Sequence, residues 1–124
     1  MAPAAHRTQR LLRLLVFAAA VSITCLLFIN YCNLVYQCGC VSWWAGAADH
    51  CNIHAALPPH CPWCANITAG SSSFVVVIAA QALAAFAPGG WGAGRRLALA
   101  LAAFPVTGAV MGVFWGLYTG YWAG

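Results

Sequence analysis

Three long apolar stretches, separated by a long Cys/His-rich loop and a short polar connector, set the pattern of the chain. Residues 14–35 carry no charge and are mostly Leu, Val, Ile, Phe and Ala. A helix of that length crosses the roughly 30 Å of hydrocarbon in a bilayer. A second apolar run at 70–87 is short for a crossing unless its helix starts near Thr68. A third, at 97–121, is long enough to cross with tilt. The pattern predicts an all-α membrane protein. It has three transmembrane helices and an extracytoplasmic Cys/His-rich loop, 36–69, between helices 1 and 2. The whole chain, 1–124, reads as a single integral-membrane domain.

Composition supports that solvent. Hydrophobic residues make up 64% of the chain and charged residues 5%, whereas a soluble domain carries about 25% charged residues. A water-soluble fold of this size has no interior large enough for so much apolar surface.

Charge then sets an expected orientation. The five cations are all arginines, Arg7, Arg10 and Arg13 before the first span, and Arg95 and Arg96 between the second and third. The loop 36–69 has neither Lys nor Arg. The positive-inside rule places the N-terminus and the 88–96 connector in the cytoplasm, and the loop and C-terminus outside. The small, Ala- and Gly-rich chain fits a multi-pass protein of a bacterial inner membrane. Arginines placed this way are topology determinants, not a surface that reads nucleic acid. The arginine-rich start followed by 11–21 also has the outline of a signal peptide. The apolar run continues past it without a small-x-small cleavage site near its end, and an uncleaved span is the expectation. Trp43, Trp44, Trp115, Tyr118, Tyr121 and Trp122 gather at the expected outer boundary, where half-polar rings settle among lipid head groups.

Packing signals lie in the second and third runs. Gly108, Gly112, Gly116 and Gly120 recur every fourth residue and leave a side-chain-free groove on one helix face. Its occupant is either the alanine-rich second span or another membrane subunit, with packing inside the chain preferred. Gln81 sits in mid-span, where an amide serves as interhelical glue. Pro105 is expected to kink the third helix.

The loop carries the chemistry. Between Cys38 and Cys64 stand five cysteines and three histidines. The tightest arrangement is Cys51-x-x-His54 followed by Cys61-x-x-Cys64. Two such pairs can turn four side chains toward one ion and complete a tetrahedron. Thiolate and imidazole donors suit zinc or copper. Cys51, His54, Cys61 and Cys64 are therefore the expected metal ligands, with Cys38, Cys40, His50 and His60 as second choices. Cys32 lies at the membrane edge within reach of the set. Cys25, inside the first span, reads as an inert apolar side chain. Pro58, Pro59 and Pro62 stiffen the connector. Asp49, the sole acid, can orient His50. Asn66-Ile67-Thr68 matches a glycosylation sequon.

The spacing resembles that of small zinc-binding knuckles. Cys61-Pro62-Trp63-Cys64 is also similar to the C-x-x-C motif of thioredoxin-type oxidoreductases. That likeness implies an attacking Cys61 and a resolving Cys64, with Cys38 and Cys40 as a second reactive pair. It covers four residues, and no βαβ pattern surrounds it, so a thioredoxin fold is excluded and a helical membrane thiol oxidoreductase is the form it would take. A third reading is a set of structural disulfides in an oxidising compartment. Plain scaffolding leaves the interleaved histidines unexplained. The sequence has no phosphate-binding loop, no serine elbow and no carboxylate pair, which removes hydrolase chemistry. The expected function is a metal-binding membrane protein in metal handling or as an accessory subunit of a membrane complex. The alternatives are the thiol oxidoreductase and a non-catalytic structural subunit.

Overall fold

A computed structural model describes residues 3–40 and 60–123, and among them every regular element is helical. The order is α1 (Pro3–Tyr36), α2 (Pro62–Ala65), α3 (Ile67–Phe86) and α4 (Ala93–Tyr118). Helices α1, α3 and α4 are each long and apolar enough to cross a membrane. Leu83, Val106, Val110 and Leu117 stand exposed on them. Such side chains are costly in water and at home in hydrocarbon.

The element boundaries follow local chemistry. Helix α1 starts well before the expected span, so Arg7, Arg10 and Arg13 ride on a helical extension. Helix α3 begins at Ile67 because Asn66 caps it. The Asn66 side-chain oxygen accepts from the backbone N–H groups of Thr68 and Ala69 at 2.9 and 3.3 Å. The 20 residues of α3 then span roughly 30 Å, and the second crossing is long enough. Helix α4 starts earlier than expected, at Ala93, and continues through Pro105. It stops at Tyr118. Gly120, with φ of 68°, lies in the turn that follows and not on the helix.

Each long helix buries a stripe at every fourth residue. In α1 it is Val16, Ala20, Thr24, Phe28, Cys32 and Tyr36. In α3 it is Ala69, Ser73, Val77, Gln81 and Ala85. In α4 it runs from Arg96 through Ala100, Phe104, Gly108 and Gly112 to Gly116. Four exceeds the 3.6 residues of a helical turn, so each stripe winds around its helix. Small residues along the stripes let the backbones approach closely.

Gln81 ties the three helices together, and Arg96 ties α4 to the end of α3. Gln81 is fully buried. Its amide nitrogen donates to the Thr24 hydroxyl at 2.8 Å and faces the Ala100 and Ala20 carbonyls at 3.1 and 3.4 Å. Two of those three groups can only accept, which fixes the nitrogen on that side. Arg96 lies against the end of α3. Its guanidinium donates to the carbonyls of Ala85, Ala87, Gly89 and Trp91 at 2.7–3.1 Å. These include carbonyls that the end of α3 leaves without helical partners.

The glycine groove is filled by side chains of α1 together with Trp63 and Trp122, not by α3. Gly108 faces the Tyr31 ring, and Gly112 faces Val35 and the edge of Trp63. Gly116 packs against Trp122. The bulky side chains of α1 and Trp63 need a groove to enter, whereas the alanines of α3 need none.

Candidate metal centre

The site forms where the end of α1 meets the short helix α2. Just past α1 the backbone turns sharply. Gln37 and Gly39 both adopt left-handed φ, 52° and 79°. The reversal is held by the Asn33 side chain, which accepts from the Gly39 N–H at 2.7 Å. Glycine suits such a conformation because it has no Cβ to clash. The turn folds Cys38 and Cys40 back beside Cys32, the penultimate member of the buried α1 stripe.

The second strand of chain arrives through Cys61. That residue caps α2, and Pro62 supplies the first helical position. The indole of Trp63 is driven into the bundle. It stacks on Phe28 at 4.8 Å between centroids and meets Tyr36 edge-on at 5.5 Å. Gly70 of α3 makes room for it. A Cβ built there would collide with the Trp63 carbonyl. Tyr36 donates to the Gly112 carbonyl at 2.7 Å, and Tyr121 donates to the Tyr36 carbonyl at 2.8 Å. These bonds fix the end of α1 against α4 and the chain beyond it.

Five cysteines converge as a result. Cys32, Cys61 and Cys64 hold their sulfurs within 4.8 Å of one another, and so do Cys32, Cys38 and Cys40. Cys32 belongs to both groups. Cys32, Cys40 and Cys61 are buried, while Cys38 and Cys64 keep some exposure. The sulfurs of Cys32 and Cys38 stand 3.6 Å apart, and those of Cys40 and Cys64 3.8 Å. Tetrahedral Zn–S bonds of about 2.3 Å place neighbouring sulfurs about 3.8 Å apart, so both separations suit adjacent ligands of one ion. The Cys32 and Cys61 sulfurs are closer, at 2.6 Å. That is inside the spacing of two ligands and nearer to a bonded pair, about 2.05 Å.

The cluster shapes its own acidity. At Cys38, just outside the helix, the Cys32 thiol pulls the pKa down. The Cys61 thiol and burial push the other way, and the result is upward. At Cys38 the thiol therefore holds its proton to a higher pH than an ordinary thiol, and a cation must displace that proton to bind.

The expected ligands divide accordingly. Cys61 and Cys64 enter the cluster, as do Cys38 and Cys40. Cys51, His54 and His50 lie outside the described residues. His60 is described but falls in neither group of candidate ligands. Cys32 is the residue that spacing alone undervalued. Its signal was the four-residue step through Phe28, Cys32 and Tyr36, which points it inward at the end of the span. Cys25 stays apart from both groups.

Fold and site together describe a small helical protein with three membrane-compatible helices and a cysteine cluster able to hold a metal ion. Comparison with protein-family models, with curated proteins and with solved structures finds no match.

Proposed function

We propose that this chain is a small polytopic membrane protein that binds a soft metal ion, zinc or copper, at the outward end of its helix bundle. It serves metal handling or acts as an accessory subunit of a membrane complex. The supporting observation is the pair of three-cysteine groups that share Cys32. An all-sulfur donor set favours Zn(II) or Cu(I) over hard cations. Cys32, Cys61 and Cys64 make one set of ligands, and Cys38 and Cys40 extend it. Cys51 and His54 stay proposed as ligands from the loop. Trp63 locks two of the ligands to the bundle, and that preorganisation lowers the entropy lost on binding. In an accessory role, a partner would meet the lipid-facing sides of α3 and α4, because Gly108, Gly112 and Gly116 face side chains of their own chain.

The test is elemental analysis of detergent-solubilised protein purified anaerobically, alongside thiol counting. Zinc or copper bound at a fixed ratio, lost in Cys32→Ser, supports the reading. Metal-free protein that takes up neither ion on titration overturns it.

The 2.6 Å approach of Cys32 to Cys61 favours a second reading, thiol–disulfide exchange. A partner disulfide would be reduced to two thiols as two cysteines of the cluster lose two protons and join. Cys61 is wholly buried, so the half-buried Cys64 is the better placed to meet the partner. A reversible two-electron change confined to one cysteine pair, without bound metal, would support this reading over the first.

A further inference from the structure

The opposite end of the bundle carries the arginines, and among the described residues they lack carboxylate partners. The chain contains a single acid, Asp49, placed in the sequence between Cys38 and Cys64. Among the described residues there is no carboxylate side chain to neutralise any arginine. Arg96 spends its hydrogen bonds on four carbonyls, yet keeps its charge. Arg95 lies over the Trp91 ring at 4.4 Å, which leaves its charge uncompensated as well.

Two clefts flank α1 at this end, and Arg13 lines both. One, of about 540 Å³, is bounded by His6, Arg10, Arg13 and Phe86. Residues 6, 10 and 13 fall on one helix face, so Arg10 and Arg13 share a common space with His6 beside them. The other, of about 420 Å³, lies between Arg13 and the connector at Trp91, with Arg96 on its far wall. The Nε of Arg13 is buried and has no hydrogen-bond partner. Arginine is a planar donor suited to phosphate oxygens. Cations crowded against low-dielectric walls, with room beside them, call for an anion from outside the chain. At the end of a membrane-spanning bundle the abundant anion is a lipid phosphate.

We propose that this end of the bundle binds the phosphate of an anionic phospholipid head group, held by Arg10 and Arg13 in the cleft between α1 and Phe86 at the end of α3. The lipid brings negative charge to these arginines and pins the N-terminal extension of α1 to the membrane surface. The site is separate from the cysteine cluster and does not depend on the metal reading.

Native mass spectrometry of the full chain in detergent tests it. Phosphatidylglycerol is titrated against phosphatidylcholine with the same acyl chains, and orthophosphate is titrated separately. Phosphatidylglycerol should bind more tightly than phosphatidylcholine. The double variant R10Q/R13Q should weaken it roughly thirtyfold, from two lost charges near a membrane surface. R10K/R13K, which keeps the charge, should retain most of the binding, and R7Q should match the wild type. Equal binding of both lipids overturns the proposal. So does an R10Q/R13Q variant no weaker than R7Q, or equal loss in R10K/R13K. Orthophosphate bound as tightly as the lipid would assign the clefts to a soluble anion and overturn the lipid assignment.

Discussion

The sulfurs of Cys32 and Cys61 lie 2.6 Å apart although the residues are 29 positions apart in the chain. One belongs to a membrane-length helix and the other to the cap of a four-residue turn. Their meeting joins the scaffold of membrane-length helices to the chemistry of the cysteine cluster.

Cys32 is the shared member of both ligand groups, so its loss should cost more than the loss of any other cysteine. Cys32→Ser is expected to abolish stoichiometric metal, while Cys25→Ser leaves it intact. Elemental analysis of the two purified variants makes the comparison. Equal metal content in both would remove Cys32 from the site.

Metal affinity should fall as pH falls. Each thiol must lose its proton to bind, and at Cys38 the surroundings raise the pKa. Protons therefore compete from a higher pH than at an ordinary thiol. Affinity should drop about tenfold per pH unit for every thiol that is protonated in the free protein. A competition titration with a chromophoric chelator at several pH values reads the slope. A flat profile would exclude thiolate ligation.

Gly70→Ala should dislodge α2. The added methyl meets the Trp63 carbonyl, a backbone atom that cannot swing aside. Overpacking of this sort costs about 1–3 kcal/mol. The Trp63 indole would shift from its stack on Phe28, and metal affinity would fall with it. Near-ultraviolet circular dichroism and metal titration follow the two effects, which should appear together.

Gln81→Leu should be nearly neutral. The amide nitrogen loses its bonds to Thr24 and to the carbonyls, but the buried Oε1, which has no partner, is removed as well. Thr24 keeps its own bond to the Ala20 carbonyl at 3.1 Å. Interhelical hydrogen bonds in membranes are worth about 0.6 kcal/mol on average, and leucine restores apolar packing. A change within about 1 kcal/mol is expected from unfolding in mixed micelles of increasing sodium dodecyl sulfate. A much larger loss would make Gln81 a keystone of the bundle.

The spans were legible in the sequence because an uncharged run of membrane length permits few other outcomes. Their ends were less so. Asn66 read as a glycosylation site, and only the geometry shows it capping α3. The glycine stripe was visible by spacing, but its occupant was not. Gly108 and Gly112 receive Tyr31, Val35 and Trp63 from segments distant in sequence, and helix periodicity does not encode which neighbour is opposite. Cys61, Cys64, Cys38 and Cys40 stood out by their clustering. Cys32 was legible only as a residue within reach of that set, because a cysteine at the end of an apolar run resembles any other small core residue. What distinguishes it from Cys25 is its place on the inward stripe near the end of the helix.

Trp63 sits between Cys61 and Cys64 in the chain and between the helices in space. Whatever draws those two sulfurs together also tightens the indole in its slot. Occupancy of the cluster and cohesion of the bundle are therefore thermodynamically linked. A ligand that prefers the assembled state raises its stability in proportion to the logarithm of its concentration. The melting temperature in detergent should thus rise with the concentration of any cation that the cluster binds.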